Sequence, residues 1–212
     1  MCFSEDVSWA TLAASWTGCA ALAATGQPHL QAMAGFFAVV GGMQLWEALL
    51  WRNVAGGCTS TNGALSNAGA INNHLEPLAL YAMCRWLLAP RSPFKANLAG
   101  AVIVVYVLVF SLLTANFLHR PLEQRCTRAT RSGLTWQWNE YGNNTNLAYA
   151  LFLAAFVTTT YAYMPAGVDH AFTAVTLTSL VVSNALYGGK GMVGSMWCFF
   201  AALFPWLALA CV

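Results

Sequence analysis

The sequence predicts an all-α integral membrane protein, a seven-transmembrane-helix bundle, on three observations. Of 212 residues, 58% are hydrophobic and only 8% charged, where a soluble domain carries roughly 25%. Long apolar runs recur, each near the roughly 20 residues needed to cross a hydrocarbon core of about 30 Å. The runs do not alternate in polarity as barrel strands do, so backbone groups placed in lipid must be satisfied within helices. Nine basic and seven acidic residues cannot clothe a water-soluble globule of this size. The net charge of +2, without any Lys/Arg-rich run, excludes a general nucleic-acid binder.

The elements follow in order. A first span is expected over 7–25, stopped by Gly26, Gln27 and Pro28, and a second over 30–51, stopped by Gly56 and Gly57. The third, 64–88, is long and polar and ends before Pro90 and Pro93; the fourth covers 96–118. After a long loop, 119–145, come 146–164, closed by Pro165 and Gly167, and the short 171–187, closed by Gly188, Gly189 and Gly191. The last span is expected over 193–211, making 1–212 one transmembrane domain without internal repeat.

Seven spans place the termini on opposite sides. Side A holds the N-terminus, the loop 52–62, the loop 119–145 and the turn at Lys190; side B holds the remaining turns and the C-terminus. Basic residues fall on both sides, so the positive-inside count does not choose between them. Three features favour side A as extracellular or lumenal. Glu5 and Asp6 precede the first span, Asn143 opens an Asn-Asn-Thr glycosylation sequon, and Cys58 and Cys126 lie in two loops of that side. The two cysteines are either a disulfide or a pair of free thiols. No cleavable signal peptide and no lipid anchor are expected.

Ionisable and amide side chains inside a span are functional candidates. Gln44 and Glu47 share a face of span two, with Trp51 one turn on. Span three carries Asn67, Asn72, Asn73, His74 and Glu76, followed by Pro77, which removes a backbone bond to residue 73. Ser66, Gly69, Asn73 and Glu76 form one stripe. With Thr114, Asn116, Tyr149, Asn184 and Ser195 also in the A halves of their spans, the polar set converges on one half of the membrane and predicts a pocket or vestibule opening on side A. The loop's Trp136, Trp138 and Tyr141 are expected at headgroup level as interfacial anchors, with an Arg-rich lid as the alternative. Asp169 reads as a helix N-terminal acid, and Cys19, Cys84, Cys198 and Cys211 as small packing residues.

Other chemistries fit poorly. His74 and Glu76 two apart on a helix turn about 200° from each other, so joining them with Glu47 or Cys2 around a metal requires a distortion at Pro77. A retinal protein needs a lysine deep in the last span, whereas Lys190 precedes it. Neither a P-loop nor a nucleophile elbow is present.

Four patches carry a resemblance: Met1-Cys2-Phe3-Ser4, the Gln44 to Trp51 run, Asn73-His74-Leu75-Glu76-Pro77 and Gly194-Ser195-Met196-Trp197-Cys198. Together the chain resembles an uncharacterised family of small multi-pass membrane proteins that begin Met-Cys-Phe-Ser, associated with large DNA viruses, microalgae and some bacteria. Similar proteins carry Gln where this chain has Glu76 before Pro77, so no role is carried over to that position. The resemblance implies the multi-pass topology and no particular reaction.

The leading expectation is a polar site of Gln44, Glu47, Asn73, His74 and Glu76 that binds or translocates a small polar solute, proton or cation across the lipid bilayer. Two alternatives stand beside it. One is an intramembrane enzyme acting on lipid, with His74 and the glutamates as acid/base groups or metal ligands. The other is a structural subunit whose buried polar groups specify helix pairing. No cofactor and no oligomeric state is indicated.

Overall fold

The structure is a computed structural model that describes residues 4–130, 133–139, 145–188 and 192–210. Helices α1 (Glu5–Ala24), α2 (Pro28–Val54), α3 (Ser60–Leu87) and α4 (Pro93–Leu118) lead into a short hairpin of β1 (Arg128–Thr130) and β2 (Gly133–Thr135). Helices α5 (Thr145–Tyr163), α6 (Val168–Tyr187), α7 (Val193–Ala201) and α8 (Phe204–Ala210) complete the chain. The sequence places the starts through ordinary capping chemistry. Ser4, Thr59 and Ser92 each accept a backbone N–H of the first turn at 3.2 Å, while Pro28 and Pro93 begin their helices where no N–H is needed. Gly26 and Gly167 take positive φ of 71° and 91° to reverse the chain.

Helix covers each apolar stretch, but among the described residues four elements are long and apolar enough to cross a membrane: α1, α2, α4 and the segment Val193–Ala210. The others fall short for visible reasons. α3 is diluted by asparagines, His74 and Glu76, α6 by Thr and Ser, and the apolar part of α5, Leu147–Tyr163, is short. The segment Val193–Ala210 is also not one smooth helix as expected. It turns at Ala202 and Leu203 because Pro205 has no N–H to return to residue 201, and short bonds of 3.0 Å (Leu203 N–H to Phe200 O) and 3.2 Å (Trp206 N–H to Leu203 O) replace the regular ladder.

α1, α2 and α3 pack in sequence, α4 lies on α5, α6 on α7, and α8 returns to α1. At Gly18 a Cβ would stand 2.8 Å from Pro205 Cβ, so glycine is what lets α8 seat on α1. The B half is filled by Phe36, Phe37, Phe156, Phe172 and Phe204, drawn from four helices with neighbouring ring centroids 5.0 to 6.0 Å apart. An ion pair of Arg91 with buried Asp169, and an Arg91 N–H bond of 2.8 Å to Ala162 O, fasten the B-side turns. Glu5 pairs with Arg52, joining the start of α1 to the end of α2.

The connection after α4 departs from the interfacial-anchor expectation. Trp136 and Trp138 are 3% and 1% exposed, stacked at 4.7 Å, and Trp138 lies against Gly69 of α3 and Phe117 of α4. They are seated in the bundle because small residues of α3, Gly69 and Ala70, leave a trough that two indoles fill. Tyr141 lies outside the described residues.

Candidate functional site

The expected stripe on α3 exists and is buried: Ser66, Gly69, Asn73 and Glu76 all face inward. Its upper part is occupied by the chain itself. Asn62 donates to Thr127 O and accepts from Thr127 N–H, both at 3.0 Å. Ser66 Oγ meets Thr127 Oγ1 at 2.8 Å, and Trp138 covers Gly69. The vestibule expected on side A is therefore plugged by the loop. A disulfide between Cys58 and Cys126, with Cα atoms 5.5 Å apart, ties the plug to the segment ahead of α3.

Below the plug the polar residues divide. Glu47 of α2 is fully buried and accepts a hydrogen bond from Ser195 Oγ of α7 at 2.5 Å, with buried Gln44 three residues earlier on the same helix. Asn73 Nδ2 donates to Glu76 Oε1 at 3.3 Å, while Glu76 Oε2 is buried without a hydrogen-bond partner among the described residues. The two groups flank the start of α7. Ser195 reaches Glu47, and its neighbour Gly194 lines, with Asn73, Tyr149 and Trp197, a cavity of about 20 Å³. A single water needs roughly 10–15 Å³. The space takes one water or a bare ion, and no larger solute.

His74 does not join this group. Its Nδ1 lies 2.6 Å from Thr114 Oγ1, its backbone carbonyl accepts from Tyr106 OH at 2.9 Å, and its ring meets the edge of Phe110 at 4.9 Å, all on α4. The helical offset that separates residues 74 and 76 is preserved, since α3 runs unbroken through Pro77. Among the described residues no three His, Cys, Asp or Glu side chains gather as a metal site. Cys2 and the sequon at Asn143 lie outside the described residues, as does Lys190.

The roomier cavities are apolar. One of about 410 Å³ lies among α2, α6 and α8, lined in part by Phe37, Phe172 and Phe204, and another of about 330 Å³ runs between α3 and α4 beside His74. Ser195, Tyr149 and Thr114 carried a sequence signal through their A-side depth. Asn62, Thr127 and Tyr106 carried none, because each acts through a partner far away in the chain. No family model, curated protein or solved structure matches the chain. What fold and site define together is a largely helical protein with membrane-length apolar helices and two buried carboxyls, Glu47 bonded to Ser195 and Glu76 bonded to Asn73.

Proposed function

We propose that this is a seven-span membrane protein that binds and passes a proton or a small bare cation through the cluster of Glu47, Asn73, Glu76 and Ser195, with Gln44 beside it. The observation that carries the reading is Glu76. It is fully buried, one carboxyl oxygen has no partner among the described residues, and its hydrogen-bonded neighbour Asn73 opens on a water-sized cavity. A carboxylate buried in this way is costly unless a positive charge accompanies it. Occupation by a proton or cation relieves that cost, and an intramembrane acid of this kind is a functional group by default. The cavity volume is what argues against a larger polar solute.

Membrane crossing by all seven helical regions is supported by the way their ends alternate between two ends of the bundle, with Glu5–Arg52 at one and Arg91–Asp169 at the other. The disulfide, a bond of oxidising compartments, supports side A as extracellular or lumenal. The resemblance to the Met-Cys-Phe-Ser family fits the same topology.

The test is flux. Purified protein in liposomes carrying an internal pH indicator is driven by a potassium diffusion potential, and sodium is assayed in parallel. Flux above empty liposomes is expected, at least tenfold lower in Glu76→Gln, with circular dichroism confirming the fold. Equal flux in wild type and in both Glu76→Gln and Glu47→Gln would sink the proposal.

A further inference from the structure

His74 is a buried ionisable group that faces α4, and it lines a groove. The groove, about 330 Å³, runs between α3 and α4. Its walls are Leu75, Leu78, Val107 and Phe110, and its polar groups are Ser111 and the pair His74 Nδ1 and Thr114 Oγ1, 2.6 Å apart. Leu75 and Val107 are 47% and 37% exposed and α4 is one of the helices apolar enough for lipid, so the groove opens sideways and not toward water.

The dimensions describe an occupant. Thr114 lies four residues before the A-side end of α4, about 6 Å along the axis. The groove follows α4 from Leu118 to Tyr106, about 18 Å at 1.5 Å per residue, close to half of a hydrocarbon core of about 30 Å. Polar atoms therefore sit about 6 Å below the top of the groove, with about 12 Å of apolar trough beneath them toward Tyr106, most of the depth of one leaflet. A hydroxyl both donates and accepts, as Thr114 and an imidazole do between them. No Lys or Arg lines the groove to hold a charged head.

We infer that the α3–α4 groove is a lateral binding site for a neutral, hydroxyl-headed membrane lipid, whose head joins the His74–Thr114 pair and whose tail lies along Leu75, Leu78, Val107 and Phe110. The inference rests on the reading that α3 and α4 both cross the bilayer; it does not rest on flux through Glu76. Binding here places a lipid head against α3 one face away from the carboxyl cluster.

The experiment uses full-length protein in phosphatidylcholine vesicles doped with a diazirine-tagged hexadecanol. After irradiation, label is expected on the α3 and α4 peptides that line the groove, competed by unlabelled hexadecanol and not by hexadecane. Thr114→Val, nearly isosteric, removes one hydrogen bond and is expected to lower labelling about fivefold. Leu75→Trp fills the trough from an exposed position, keeps the polar pair, and is expected to abolish labelling. Cation or proton flux in Leu75→Trp stays at the wild-type value, so failure of this site and failure of the carboxyl site are told apart. Competition by hexadecane equal to that by hexadecanol, label spread over the other helices, or wild-type labelling in both variants would overturn the inference.

Discussion

Ser195 at the start of α7 donates a 2.5 Å hydrogen bond to Glu47 deep in α2, across 148 residues of sequence. This bond joins α7 to α2, and Gly194, the residue before Ser195, shares a small cavity with Asn73, whose amide donates to Glu76. Ser195→Ala is expected to lower stability by about 1 kcal/mol, the scale of a hydrogen bond between membrane helices. Glu47→Gln keeps an acceptor oxygen for Ser195 and is expected to lower it less. Denaturant unfolding in detergent checks both, and a Ser195→Ala protein as stable as wild type would remove the bond from the account.

The disulfide should matter more. Cys58 and Cys126 are separated by 68 residues, and closing a loop of that length constrains the unfolded chain by up to about 4 kcal/mol. Reduction, or Cys58→Ser, is expected to lower the melting temperature and to shift tryptophan emission to longer wavelength as Trp136 and Trp138 leave the bundle. An unchanged emission spectrum on full reduction would show that the plug is held without the bond.

Much of the helical architecture was legible in the sequence, and for local reasons. The breaks read at Gly26 to Pro28 and at Pro90 to Pro93 fall between helices, and the spacing of Ser66, Gly69, Asn73 and Glu76 put one buried stripe on α3. The break after Ala201 was missed, because Pro205 sits within an unbroken apolar run that reads as one span. What fills the stripe was not legible. The hairpin strands are three residues long, too short for an alternating pattern, and Thr127 binds α3 partly through its backbone N–H and carbonyl, which no side-chain pattern announces. The seating of Trp138 on Gly69 and the turn of His74 toward Thr114 depend on which helices become neighbours, a long-range choice absent from local periodicity.

The Arg91–Asp169 pair gives stability a pH dependence. Burial alone would raise the Asp169 carboxyl, but the His170 backbone N–H, the Arg91 guanidinium and the His170 ring outweigh it and hold Asp169 below the ordinary carboxylate range. A depressed folded value means the contribution is complete above the unfolded pKa of about 3.9 and is lost as pH falls through the folded value. Wild type is therefore expected to lose stability relative to Asp169→Asn on acidification below about pH 4. Parallel stability profiles for the two proteins across that window would exclude the pair as a source of acid sensitivity.

The contact of Trp138 with Gly69 ties the seating of the loop to one position on α3. A Cβ on Gly69 would lie 3.0 Å from Trp138 Cη2, tight enough that the indole must give by a few tenths of an ångström. Valine adds two further methyl groups at that point and is expected to cost about 1–3 kcal/mol by overpacking. Trp138→Ala, which empties the trough instead, is expected to cost about 3–5 kcal/mol. Because both changes act on the same contact, Gly69→Val should be much less harmful in the Trp138→Ala background, with a coupling of about 1 kcal/mol or more in a double-mutant cycle. Additive effects would mean that the indole does not rest on α3, and the plug over the carboxyl cluster would then have to be held by the Asn62 and Ser66 bonds to Thr127 and by the disulfide alone.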